Sequence, residues 1–304
     1  MSFDLENSIN KKIELSKEDN VELYIKREDK IHPFISGNKY RKLKYNLKEA
    51  QKLGYNTLLT FGGAYSNHIA AVAAAGKEFG FNTIGIIRGE ELFDKINKNP
   101  TLQFAKSQGM QFKFVSRSSY REKESDSFLS ILIEEFGDFY LIPEGGTNQL
   151  AVKGCEEILT TEDTKFDYIC CAVGTGGTIS GLINSSKSHH KILGFPALKG
   201  DFLSTNISKF VTKNNWELIT DYHFGGYAKV NKQLIDFINQ FKYTYNIPLD
   251  PVYTGKLMFG VIRMIEANYF TKNAKILVIH TGGLQGISGM NKRLIEKELP
   301  LINE

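Results

Sequence analysis

The sequence predicts an α/β protein built on two open, twisted, mainly parallel sheets flanked by helices. Three observations lead there. Short apolar runs rich in β-branched residues alternate with helix-period patterns. Several of those runs end in a glycine-rich turn. At 304 residues the chain is also long for a single hydrophobic core, so two units are expected.

In chain order, residues 57–61 read as a strand, followed by a glycine turn and an alanine-rich helix at 69–79. A strand at 83–87, a helix near 102–107, a strand at 111–115, a helical pattern at 128–136 and a strand at 139–142 complete this unit. From residue 166 the pattern restarts. Tyr168-Ile169-Cys170-Cys171-Ala172-Val173 is apolar almost throughout, as a strand covered on both faces must be. A glycine turn, a helix from 178 and a strand at 191–195 follow, and a strand at 275–279 precedes the last glycine turn. No internal repeat, low-complexity segment or Pro- or Ser-rich linker marks a boundary.

Charged residues make up 24% of the chain and the net charge is +4 with scattered lysines, which argues against a nucleic-acid or membrane-surface partner. Met1-Ser2-Phe3-Asp4-Leu5-Glu6 is acidic without an apolar signal-type core, and no run is long enough to span a bilayer; a cytoplasmic protein is expected. Cys155, Cys170 and Cys171 form no even framework. Neighbours on a strand point to opposite faces, so buried thiols are expected rather than a metal site.

The most informative segment is Phe34-Ile35-Ser36-Gly37-Asn38-Lys39, which follows Lys26-Arg27-Glu28-Asp29. Gly37 and Asn38 allow a tight turn before Lys39, while Tyr40, Leu43 and Leu47 are spaced to seat a helix on a core. Lys39 also sits among Lys42, Lys44 and Lys48, as in any solvated helix start, so it decides nothing alone. Gly174-Thr175-Gly176-Gly177-Thr178 lies between a strand and a helix: backbone N–H groups, two hydroxyls and a helix N-terminus suit a phosphate. It is neither a Walker loop nor a dinucleotide fingerprint, and a strand-to-helix turn without a ligand reads the same way. Ser66-Asn67-His68 opens the helix after the 57–61 strand, as caps or as a carboxylate clamp. His280-Thr281-Gly282-Gly283 ends the last strand.

In this order, and together with Asp250-Pro251-Val252-Tyr253-Thr254-Gly255-Lys256, these segments resemble the pyridoxal-phosphate enzymes of the tryptophan synthase β-subunit superfamily, and within it the 1-aminocyclopropane-1-carboxylate deaminase/D-cysteine desulfhydrase family. The resemblance spans nearly the whole chain. It implies a tryptophan synthase β-like fold with a smaller unit at 44–159, carrying the substrate-carboxylate loop, and a larger cofactor-binding unit formed by 1–43 and 160–304. It further implies pyridoxal 5'-phosphate as cofactor, a small amino acid as substrate and a homodimer. Lys39 would hold the cofactor covalently and move protons at Cα; Gly174, Thr175, Gly176, Gly177 and Thr178 would bind its phosphate. Ser66, Asn67 and His68 would meet the substrate carboxylate, Asn67 also the cofactor's phenolic oxygen, and Tyr227 and Tyr253 would be the active-site tyrosines.

Thr281 would face the pyridine nitrogen, and a neutral hydroxyl supports a weaker electron sink than a carboxylate. Ring-opening members of the family carry glutamate directly after the tyrosine, where this chain has Thr254, and glutamine where it has His68. Both differences favour desulfhydrase-like α,β-elimination of D-cysteine to pyruvate, ammonia and sulfide. Opening of 1-aminocyclopropane-1-carboxylate to 2-oxobutanoate and ammonia is the alternative. A non-catalytic binder of a phosphorylated metabolite, with Lys39 as a mere counter-ion, is a third reading.

Overall fold

The computed structural model describes residues 5–16, 20–35 and 37–303, so Ser36 of the first motif and the start of the N-terminal segment lie outside the described residues. Strands β1 (Asn10–Ile13) and β2 (Val21–Lys26) come first, then helix α1 (Asn38–Lys52). Next are β3 (Thr57–Gly62), α2 (Asn67–Phe79), β4 (Asn82–Arg88), α3 (Pro100–Ser107), β5 (Gln111–Val115), α4 (Arg117–Arg121), α5 (Asp126–Phe136), β6 (Tyr140–Ile142) and α6 (Gln149–Cys155). The chain continues with β7 (Tyr168–Val173), α7 (Gly177–Ser185), β8 (Lys191–Pro196), α8 (Phe202–Ser208) and β9 (Trp216–Leu218). It closes with α9 (Lys232–Tyr245), α10 (Thr254–Glu266), β10 (Ala274–Ile279) and α11 (Gly286–Ile295).

The strands form a four-stranded sheet, β5-β4-β3-β6, and a six-stranded sheet, β1-β2-β10-β7-β8-β9. Every pairing is parallel except β1 with β2. Parallel strands put all their carboxyl ends on one edge, which is why turns far apart in sequence gather there. Both sheets are covered on two faces. Cys170 packs with Leu23, Leu193 and helix residues such as Leu257, whereas Cys171 faces Ile179, Leu182 and Cys155 on the other side. The adjacent thiols thus point oppositely, and all three cysteines are buried and free.

Helix starts follow their caps. The helix expected at 69–79 begins two residues earlier because the Ser66 hydroxyl accepts from the Ile69 N–H. Ser125 does the same for α5, which starts at Asp126 rather than 128. Asn99 caps α3 with Pro100 in its first turn. Among the described residues, no helix is long and apolar enough to cross a membrane.

Candidate active site

The charged tetrapeptide after β2 is a fastener. Lys26, at the buried end of the strand, pairs with Asp163 at 2.8 Å, and Arg27 pairs with Asp29 at 2.6 Å. Glu28, fully buried, takes both Nε and Nη2 of Arg41 at 2.8 Å, and its carbonyl accepts from the Gly37 N–H at 3.0 Å. This fork fixes the first turn of α1 against the end of β2. Gly37 itself has φ +59°, and a Cβ on it would stand 2.1 Å from the Thr281 carbonyl oxygen. The turn after β10 therefore closes directly on the start of α1, an approach only glycine permits.

Lys39 follows at once, half-buried. Its amine donates to Asn38 Oδ1 at 3.2 Å, while Asn38 Nδ2 donates to Thr178 Oγ1 at 2.8 Å, linking the lysine to the glycine loop after β7. Burial pushes the Lys39 amine down to about 8. One helical turn on, Lys42 is buried and donates to Gly145 O at 2.8 Å, Thr147 Oγ1 at 3.0 Å and Thr175 Oγ1 at 3.3 Å. Burial, and then the neighbouring Lys39 charge, push Lys42 down to about 7. Among the described residues, no carboxylate forms an ion pair with either amine.

Lys42, Gly145 and Thr147 are the residues that sequence reasoning missed. The signals were present: Lys42 lies three residues after Lys39, hence on the same helix face, and Gly145-Gly146-Thr147 is a fourth glycine turn after a strand. The two loops interlock. Thr147 and Thr175 hydroxyls are 2.5 Å apart, and a Cβ on Gly145 would stand 2.7 Å from Thr175 Cγ2. At Gly177 a Cβ would stand 2.9 Å from Thr147 Oγ1 and 3.3 Å from Lys42 Cε, and Gly176, at φ +92°, supplies the turn into α7.

Ser66, Asn67 and His68 open α2, whose first N–H groups have no preceding carbonyl to bind. The His68 side chain turns inward: its Nε2 lies 2.9 Å from Thr60 Oγ1, whose proton goes to the Ile142 carbonyl, so Nε2 carries the hydrogen. Burial and the two lysines hold the imidazole well below its usual pKa, in the neutral form. Asn67 reaches the turn after β10, where a Cβ on Gly283 would stand 2.8 Å from its Nδ2.

Tyr253 lies against Gly174, where a Cβ would be 3.3 Å from its ring, and its ring meets that of Tyr227 edge-on with centroids 6.3 Å apart. Burial raises both phenols, Tyr253 strongly, so both are protonated donors at neutral pH. Asp250 sets Tyr253 in place. Its carboxylate accepts from the N–H groups of Val252, Tyr253 and Thr254 and from the Thr254 hydroxyl, all within 2.7–2.8 Å. Thr254 is thus committed to Asp250. Thr281 is buried beside Gly37.

The site brings together a depressed lysine and a cradle made of an ammonium, three hydroxyls and the first turn of α7. That donor set fits a phosphorylated aldehyde: the cradle for its phosphate, Lys39 for its carbonyl carbon. A family model described as pyridoxal-phosphate dependent enzyme matches residues 9–282. A Thermotoga maritima protein provisionally named 1-aminocyclopropane-1-carboxylate deaminase is 32% identical, over 92% of this chain and 95% of that protein. The mitochondrial bifunctional D-cysteine desulfhydrase/1-aminocyclopropane-1-carboxylate deaminase of Arabidopsis thaliana is also 32% identical, over 88% of this chain and 73% of its own. The solved structure of a 1-aminocyclopropane-1-carboxylate deaminase homologue superposes with a TM-score of 0.83 at 28% identity, covering 95% of this chain and 93% of that one.

Proposed function

The chain belongs to the pyridoxal-phosphate-dependent enzyme family, and from that premise we propose that it is a lyase that eliminates the β-substituent of a small amino acid. D-cysteine or a related β-substituted alanine is the substrate class, with pyruvate, ammonia and sulfide as products from D-cysteine. Membership in an enzyme family sets aside the reading of Lys39 as a counter-ion in a non-catalytic binder.

The observation that carries the proposal is the Lys39–Lys42 pair on one face of α1, one amine beside Asn38 and the other in the cradle. When bound, pyridoxal phosphate offers an aldehyde to an amine and a ring that accepts the electrons of a broken Cα–H bond. Lys42, Thr147, Thr175, Thr178 and the Gly174–Thr178 backbone would hold its phosphate. An amine at about 8 is about a quarter neutral at pH 7.5, so Lys39 would be able to hold the cofactor and, once the substrate amine has released it, to take the Cα proton. The Ser66 hydroxyl and the Asn67 and His68 N–H groups hold the substrate carboxylate, and His68 contributes its backbone, since its ring is turned to Thr60. Asn67 would also meet the phenolic oxygen and Thr281 the ring nitrogen, as the family resemblance implies. Tyr227 and Tyr253, protonated, give a proton to the departing sulfur, which leaves with the C–S electron pair.

Thr254, bound to Asp250, supports elimination over ring opening, because this position adds no carboxylate. Ring opening of the cyclopropane amino acid is the second reading, favoured by the relatives' names. A screen of D- and L-cysteine, D-serine, β-chloroalanine and 1-aminocyclopropane-1-carboxylate for keto-acid release tests the choice. Fastest release from the cyclopropane substrate overturns it.

The same proposal includes a cytoplasmic homodimer divided into units 44–159 and 1–43 plus 160–304. Separate sheets support the division, and its first boundary falls inside α1, which makes that helix the join. The balanced composition supports a cytoplasmic location, and sedimentation of the purified protein tests the dimer.

A further inference from the structure

Tyr227 rides on a segment that ordinary residues avoid. Phe224 and Ala228 have φ of +54° and +52°, and Gly225 and Gly226 between them have +91° and +113°. Side chains other than glycine resist this left-handed region, and only part of the cost is met inside the segment, by Gly225 N–H on His223 Nδ1 at 2.9 Å, Gly226 N–H on His223 O at 3.0 Å and Lys229 N–H on Gly226 O at 3.2 Å. The Phe224 ring packs edge-on against Phe259 of α10 at 5.0 Å, while Tyr227, 45% exposed as a residue, turns its ring edge-on to Tyr253.

A hold from outside the segment comes from Lys256. It lies one turn beyond Tyr253 on α10 and is 2% exposed. Its amine donates to the carbonyls of His223 and Gly226, both at 2.8 Å, which lie on either side of Phe224 and Gly225 and just before Tyr227 and Ala228. Among the described residues no carboxylate forms an ion pair with it, and burial pushes the amine down to about 8. A methionine would cover the same apolar stem without the cost of burying an amine. The use that only the amine has is to anchor two carbonyls. The start of α10 therefore carries Tyr253 as its N-cap and, three residues later, the anchor of the segment that carries Tyr227.

We propose that Lys256 is a positioning residue that sets the Tyr227 hydroxyl against Tyr253 by clamping the carbonyls of His223 and Gly226. It touches neither substrate nor cofactor and acts through the 223–228 backbone. The kinetic consequence rests on the reading of Tyr227 given above, whereas the clamp itself does not.

Two measurements on the full-length protein test it. Amide hydrogen exchange of the 221–229 peptide in Lys256→Met should quicken at least about tenfold, with the 174–178 peptide unchanged. With whichever amino acid the screen shows to be turned over, Lys256→Met should lower kcat about tenfold with KM nearly constant, and adding it to Tyr227→Phe should cost less than about threefold more. Should Lys256→Met prove insoluble, Lys256→Gln, which keeps an amide donor, carries both readings with smaller effects. Unchanged exchange at 221–229 overturns the clamp whatever the substrate proves to be. Faster exchange with fully multiplicative kinetic effects overturns its action through Tyr227.

Discussion

Replacing Lys42 by Met should strengthen or spare the apoprotein while weakening its hold on cofactor, and the opposite signs make the variant diagnostic. A fall from 10.5 to about 7, at about 1.4 kcal/mol for each tenfold change, makes charging Lys42 in the fold about 5 kcal/mol harder than in water. The folded pKa lies below the unfolded one, so this destabilisation is full below pH 7 and fades as pH rises to 10.5. Methionine removes it but strands three acceptors, Gly145 O, Thr147 Oγ1 and Thr175 Oγ1, at about 1 kcal/mol each. The apoprotein at pH 7 should thus be unchanged or up to about 2 kcal/mol more stable. Cofactor loses a charge-assisted hydrogen bond worth about 1.5–3 kcal/mol, so its affinity should fall roughly 10- to 150-fold. Urea unfolding of the apoprotein and equilibrium titration with pyridoxal phosphate read the two quantities. An apoprotein weakened by more than about 2 kcal/mol with cofactor affinity intact would make Lys42 a structural brace and refute the phosphate assignment.

Gly177→Ala should weaken cofactor binding roughly tenfold, because the new methyl stands 2.9 Å from Thr147 Oγ1 in the cradle; an unaltered titration counts against the loop's role. Covalent uptake of cofactor by apoprotein should rise with pH through a midpoint near the Lys39 value of about 8, since only the neutral amine attacks; a midpoint near 10 would show an unperturbed lysine. Thr254→Glu should cost about 3 kcal/mol in urea unfolding, by losing the hydroxyl bond to Asp250 and burying a second carboxylate beside it. If that variant folds, its preference for D-cysteine over the cyclopropane amino acid should narrow, and a wider gap would contradict the role given to this position.

Much of the fold was legible because parallel strands covered on both faces read as apolar runs, as at 168–173, and because Ser66 announces a helix by its cap. What was hidden is charge. β2 ends in Lys26, which no hydrophobic pattern would bury; its partner Asp163 lies 137 residues away. Glu28 and Arg41, 13 residues apart, form a second buried pair, so the tetrapeptide carries its motif in the sequence but not its purpose. At the site, Lys39 stood out by its glycine turn, whereas Lys42 and Lys256 look like surface lysines until the fold brings carbonyls and hydroxyls to their amines. Thr254 shows a further limit. Nothing in its position after Tyr253 announces that the hydroxyl belongs to the Asp250 cap that holds Tyr253 in place.

Among the described residues three lysines, Lys39, Lys42 and Lys256, have amines lowered far enough to react with an aldehyde, to about 8, 7 and 8. Their partners separate them: Lys42 is tied to the cradle and Lys256 to two carbonyls, and on the proposed function Lys39 is the one that carries the cofactor. Borohydride reduction of the native protein loaded with pyridoxal phosphate, followed by peptide mapping, reads the outcome directly. A single labelled site at Lys39, lost in Lys39→Ala, is the expected result; label on Lys42 or Lys256 contradicts the account.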